Sequence, residues 1–181
     1  MEQKKQDILK RLGEMERENR ALTAALSDEI SLLAYKSRTR EGEQAGKRAE
    51  IWTDALQAAL NEHEIVRIPA GLYWIDRTVT IPSNRRIEAE EGAVIRLMEG
   101  VRVLMLRSEH TQDGTHRPIS ADNRDVNIAI HGGRWEESNT RRAGYGRTGM
   151  YDEARSFFGV STLMFFNHIE HLTLTGMTFS H

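Results

Sequence analysis

From Ile65 onward, apolar and polar residues alternate at strand spacing. In Ile65 to Leu97, IVRIPAGLYWIDRTVTIPSNRRIEAEEGAVIRL, short β-prone runs are separated by Pro-Ala-Gly and Pro-Ser-Asn breaks at intervals too short for helices. The local pattern recurs. Ile87-x-Ala89-x-x-Gly92, Ile128-x-Ile130-x-Gly132 and Leu172-x-Leu174-x-Gly176 each place two apolar residues before a glycine, with Val94, Trp135 and Met177 after it. Alternation sends one side chain in and the next out, and the glycine permits a bend that a Cβ resists. Gly92 and Gly132 lie 40 residues apart and Gly132 and Gly176 lie 44 apart, a period that suggests stacked supersecondary units. The prediction is a strand-rich, repetitive domain.

The pattern before residue 65 is different. Ile8, Leu12, Met15, Asn19, Leu22, Leu26 and Leu33 follow a 3-4 spacing among charged residues, which predicts one helical segment over residues 1–36. As a coiled coil it places Asn19 at a buried seam position and would join two or three copies. As an amphipathic helix it would lie on its own domain, and Gly13 and Glu29 fit that alternative. Residues 37–50 are charged, with Gly42 and Gly46 but no large apolar side chain, and read as a linker. A helix follows at about Ile51 to His63, with Ile51, Ala55, Leu56, Ala59 and Leu60 on one face and Thr53 as its N-cap. Its expected role is to cover the open first turn of the repeats.

The helix Asp54-Ala55-Leu56-Gln57-Ala58-Ala59-Leu60, then Val66-x-Ile68-Pro69-Ala70-Gly71-x-Tyr73 and Ser83-Asn84-x-x-Ile87-x-Ala89-x-x-Gly92-Ala93, resembles the entry of right-handed parallel β-helix proteins of the pectate lyase superfamily. Gly132-Gly133-x-Trp135, Leu163-Met164-Phe165-Phe166-Asn167 and His171-Leu172-x-Leu174-x-Gly176-Met177-x-Phe179 narrow the resemblance to polygalacturonase-like glycoside hydrolases, family 28. The implied fold class is mainly β: a right-handed parallel β-helix (solenoid) over residues 51–181, with an N-terminal capping helix, preceded by the long amphipathic or coiled-coil helix. The implied activity is inverting hydrolysis of galacturonan-type chains, in which one carboxylic acid protonates the leaving oxygen and an opposed carboxylate activates water. The family's Asn-Thr-Asp, Asp-Asp, Gly-His-Gly and Arg-Ile-Lys motifs are missing here, so no catalytic residue is assigned. The final LTLTGMTFSH is a strand entering a turn, and the expectation is an amino-terminal piece of a longer protein.

Composition narrows the chemistry further. The formal net charge is −2 and there is no cysteine. The first excludes a global attraction to nucleic acid or anionic membrane; the second excludes disulfides, thiolate metal sites and a cysteine nucleophile. No signal peptide or bilayer-length apolar run is visible, which makes the cytoplasm the default location. No cofactor is implied.

Two longer segments interrupt the strands, where function concentrates. Residues 107–125 contain His110, Asp113, His116, Asp122 and Asp125. Asp113-Gly114-Thr115-His116 resembles the Asp-Gly-x-His of sugar-cleaving β-helices but precedes the Gly132-Gly133-x-Trp135 turn that it should follow, so it reads as a polar turn. The His110-x5-His116 spacing suits no single helical metal face, and no metal ligand is assigned. Residues 136–158 supply Arg141, Arg142, Tyr145, Arg147 and Tyr151 as candidate substrate-binding residues: guanidinium groups pair with sugar carboxylates and rings pack on pyranose faces. Glu136, Glu137, Asp152 and Glu153 could equally neutralise those arginines within the loop.

Two functions stay open. The chain is the amino-terminal portion of a carbohydrate-active enzyme whose partner is a polysaccharide or oligosaccharide, or it is a non-catalytic β-helix module, like a phage tail fibre or spike, self-associating through residues 1–36. Pectate lyase chemistry is weaker, since no calcium-binding carboxylate cluster is apparent.

Overall fold

A computed structural model describes residues 6, 10–15, 28–101, 103–110, 124–137 and 163–180 of the 181. The chain is mainly β. The strands are β1 (Glu29–Ser31), β2 (Arg40–Gln44), β3 (Lys47–Ile51), β4 (Ile65–Ile68), β5 (Gly71–Ile75), β6 (Val79–Ile81), β7 (Arg85–Leu97), β8 (Leu106–Ser108), β9 (Asp125–Glu136), β10 (Met164–Phe165), β11 (Ile169–Thr175) and β12 (Thr178–Ser180). A 3-10 helix spans Leu32–Arg38 and an α-helix, α1, spans Thr53–Glu62. Nine of the strands make one mixed sheet in which every pairing is parallel except β2 with β3. A separate parallel sheet has the order β10-β8-β6.

The chain crosses the large sheet, then the small one, and returns. Each return sets the next strand parallel to the last, so inward side chains stack in columns. Val66, Ile87, Ile130 and Leu174 form one column; Tyr73, Ile95, Trp135 and Phe179 form a second. The first three members of each are buried, whereas Leu174 and Phe179 on the edge strands β11 and β12 are 43% and 54% exposed. Val79, Leu106 and Met164 form the matching column of the small sheet. Helix α1 packs against the 3-10 helix, β4 and β6, burying Ala55, Leu56, Ala59 and Leu60.

The period differs from the glycine-aligned one. Val66 and Ile87, opposite each other, are 21 residues apart, and Tyr73 and Ile95 are 22 apart. The longer steps after Ile87 arise because residues 109–124 and 137–163 lengthen later passes. Aligning glycines also misplaces the first copy: Ile87, not Ala89, lies opposite Ile130, and Gly132 lies opposite Ala89, not Gly92. The register shifts between Ala89 and Val94, where β7 makes a wider bend than β9.

Three amino-terminal expectations are corrected. The helix does not reach residue 36: residues 29–31 pair with β4 as β1, and Leu32 and Tyr35 of the 3-10 helix enter the core. Ile30 thus serves a sheet edge rather than a helical face. Upstream, residues 10–15 are helical, with Leu12 and Met15 exposed. The predicted linker of residues 37–50 is instead mostly hairpin β2–β3, closed by Ala45-Gly46 with both φ angles positive, as a two-residue type I′ turn requires. Gly42 leaves room for Ile51, since an added Cβ would stand 2.6 Å from Ile51 Cδ1 and that side chain would have to shift. Finally, α1 begins after Trp52, and Thr53 is not its cap: the Thr53 hydroxyl donates to Asp76 Oδ1 at 2.7 Å and accepts from Asp76 N at 3.0 Å. Among the described residues, no helix is long and apolar enough to cross a membrane.

Candidate functional site

A shallow polar groove follows the outer face of the large sheet where β4, β7, β9 and β11 run side by side. It is lined by Glu64, Asn84, Arg86, Asn127, His171 and Thr173, among others. Its floor is a stack of three residues in the left-handed region, Asn84, Asn127 and His171, with φ of 58°, 54° and 64°. Asparagine tolerates that conformation better than most residues. Asn127 Nδ2 donates to Asn84 Oδ1 at 2.8 Å, and His171 Nδ1 lies 3.1 Å from Asn127 Oδ1. A column of amides and imidazole at strand spacing thus links successive strands by side-chain hydrogen bonds.

Arg85 also lines the groove, but its guanidinium is committed to structure. Its Nε donates to Leu60 O at 2.6 Å and its Nη2 to Asn61 O at 3.4 Å, supplying partners to the carbonyl end of α1. On the neighbouring face Glu136 is buried between Arg96 and Arg134, and it also accepts from Ser180 Oγ at 3.1 Å. Arg96 lies over the Trp74 ring, 5.4 Å from its centroid. Glu136 is therefore part of β9 and of an ion cluster with Arg96 and Arg134. At the start of α1, burial opposes ionisation of Asp76, but the Thr53 hydroxyl, Arg40 and Arg77 outweigh it and hold the carboxyl below its usual value. Arg40 reaches both Asp54, at 2.8 Å, and Asp76, at 2.7 Å, and so ties the hairpin to the helix.

The third polar centre is the corner joining β8 to β9. Asp125 is fully buried and accepts from His110 N at 2.9 Å and Ser83 Oγ at 3.3 Å; its Oδ1 lies 2.7 Å from His110 Nδ1. The hydrogen bond to Asp125 raises the His110 pKa above its ordinary value, with burial opposing it and the charges of Asp125 and Glu109 adding to it. Backbone bonds fix the corner: Glu109 N donates to Ile81 O and Asp125 N to His168 O. Both His110 and Asp125 stand out in the sequence as polar residues of one segment. Their pairing does not, because they are 15 residues apart.

The predicted substrate-binding residues Arg141, Arg142, Tyr145, Arg147 and Tyr151 lie outside the described residues, as do Asp113, His116 and Asp122. The groove residues were missed because stacked Asn84, Asn127 and His171 share no motif. The available signal was their spacing, 43 and 44 residues, at one position of successive passes. No protein-family model, curated protein or solved structure matches this chain.

Proposed function

We propose that residues 51–181 are the capping helix and first coils of a right-handed parallel β-helix, and that the chain binds an acidic polysaccharide or oligosaccharide. The observation that carries the reading is the pair of parallel sheets advancing together, β4-β7-β9-β11 beside β6-β8-β10, with one residue type stacked on the next. A minimal coil is 21 residues, as between Val66 and Ile87, and the two insertions lengthen later coils. The insertions precede and follow β9 in the chain, and the second contains Arg141, Arg142, Tyr145, Arg147 and Tyr151. Guanidinium groups there suit the carboxylates of a uronate chain, and the polar groove suits its hydroxyls.

Resemblance to polygalacturonase-like hydrolases makes galacturonan the first ligand to try. Binding without cleavage is expected of this chain, because it has none of the family's catalytic motifs and because Asp125 and Glu136 are held by His110 and by Arg96 and Arg134. Affinity electrophoresis in gels containing polygalacturonate should retard the chain, with a neutral galactan as control. Replacing Arg141, Arg142 and Arg147 together by alanine should weaken binding by at least about tenfold, or ~1.4 kcal/mol. Equal migration with and without the acidic polymer would contradict the binding reading; reducing ends released from it would contradict the non-catalytic part.

One observation favours a second element of the account. Leu12 and Met15 are 52% and 63% exposed, three positions apart on helical residues 10–15. Exposed apolar groups at that spacing share a helical face, which supports self-association through the part of residues 1–36 that precedes β1, in a fibre-like assembly.

A further inference from the structure

The corner at Glu109, His110 and Asp125 has a composition that neither the groove nor the loop arginines use. One potential ligand atom from each of these residues lies within 4.8 Å of the others. We infer that this corner binds a divalent transition-metal ion of the zinc class. The inference is independent of the carbohydrate reading.

The donor set selects the class. One imidazole nitrogen and two carboxylates make a mixed nitrogen and oxygen set, which zinc accepts in four-coordinate geometry with the last position open to water. Calcium would require six or more oxygen ligands, which three side chains including an imidazole do not provide. The charge balance also fits. Asp125 and Glu109 bring two negative charges around a neutral imidazole, and a dication matches them. The positive partner of the buried Asp125 carboxylate among the described residues is a half-exposed histidine that is charged only when protonated, beside the neutral donors His110 N and Ser83 Oγ.

The site is also organised in the way metal sites are. Asp125 is oriented by the His110 amide and the Ser83 hydroxyl, whose own oxygen accepts from Val126 N at 3.1 Å. Such outer contacts fix a ligand's direction before the ion arrives. Glu109 is exposed and His110 partly so, and their side chains can rotate to close the spacing while Asp125 stays fixed. The ion would then clamp together the two ends of the stretch between residues 110 and 125.

Titration calorimetry of the full chain with Zn2+ tests this, with Ca2+ in a parallel run. The expected result is one Zn2+ per chain, weakened at least about tenfold by Glu109→Gln and by His110→Gln, together with a Zn2+-dependent rise in melting temperature that both variants lose. Both substitutions are at accessible side chains, and circular dichroism checks that each variant folds. If His110→Gln fails to fold, Glu109→Gln decides alone. Undiminished Zn2+ binding in the folded variants, which would place the ion on other histidines, overturns the proposal. So does preference for Ca2+, or no binding at all.

Discussion

Gly132→Ala is expected to lower the stability of the chain by about 4 kcal/mol or more, a large effect for a single methyl group. Two costs combine. Gly132 has a φ of +72°, where an L side chain loses about 1–2 kcal/mol. An added Cβ would also lie 2.1 Å from the carbonyl oxygen of Ala89, which is backbone and cannot rotate away. Relief requires β7 and β9 to separate at Ala89–Gly132, in the middle of their shared register. Gly176→Ala is the control. Its φ is +61°, but the nearest atom to its added Cβ is 3.6 Å away, so only the conformational cost of about 1–2 kcal/mol applies. Urea unfolding of the two variants beside the parent measures the difference; equal losses would mean that the close approach of β9 to β7 is misplaced.

Trp135→Ala should cost about 3–5 kcal/mol. Trp135 is fully buried and sits in the column between Ile95 and Phe179. Its Nε1 donates to Gly132 O at 3.1 Å, so the ring also braces the bend that Gly132 makes. Truncation leaves a cavity and removes the indole donor from Gly132 O. Trp135→Phe should recover most of the loss, with about 1 kcal/mol still missing for the hydrogen bond. A loss below about 1 kcal/mol for Trp135→Ala in thermal or urea unfolding would place the indole at the surface instead.

What the sequence made legible was local. Alternation in Ile65–Leu97 and Ile128–Trp135 located strands because each has one buried face, the same alternation located the exposed edge strands of Leu172–Phe179, and the apolar stripe of residues 55–60 located α1. Interactions between distant residues decided the rest. The β2–β3 hairpin is charged because it is a two-stranded ribbon with much of its surface in water, and its turn is Ala-Gly rather than the stronger Asn-Gly signal. Its tie to the helix runs through Arg40 to Asp54 and Asp76, 14 and 36 residues away. β1 carries a helix-compatible sequence, and only pairing with β4 makes it a strand. The candidate sites follow the same division: asparagines in left-handed bends and a histidine facing a buried aspartate are ordinary residues until the chain stacks one pass on another.

Parallel stacking of successive passes brings both candidate sites together. Because the chain has no cysteine, nitroxide labels can be attached at chosen pairs without background. Ala129 pairs with Arg86 on one side and Thr173 on the other. With cysteines introduced as Arg86→Cys and Ala129→Cys, or as Ala129→Cys and Thr173→Cys, both doubly labelled chains should show strong dipolar broadening in their electron paramagnetic resonance spectra, as expected for backbones about 5 Å apart. Spectra equal to the sum of the singly labelled chains for both pairs would contradict the stacked arrangement.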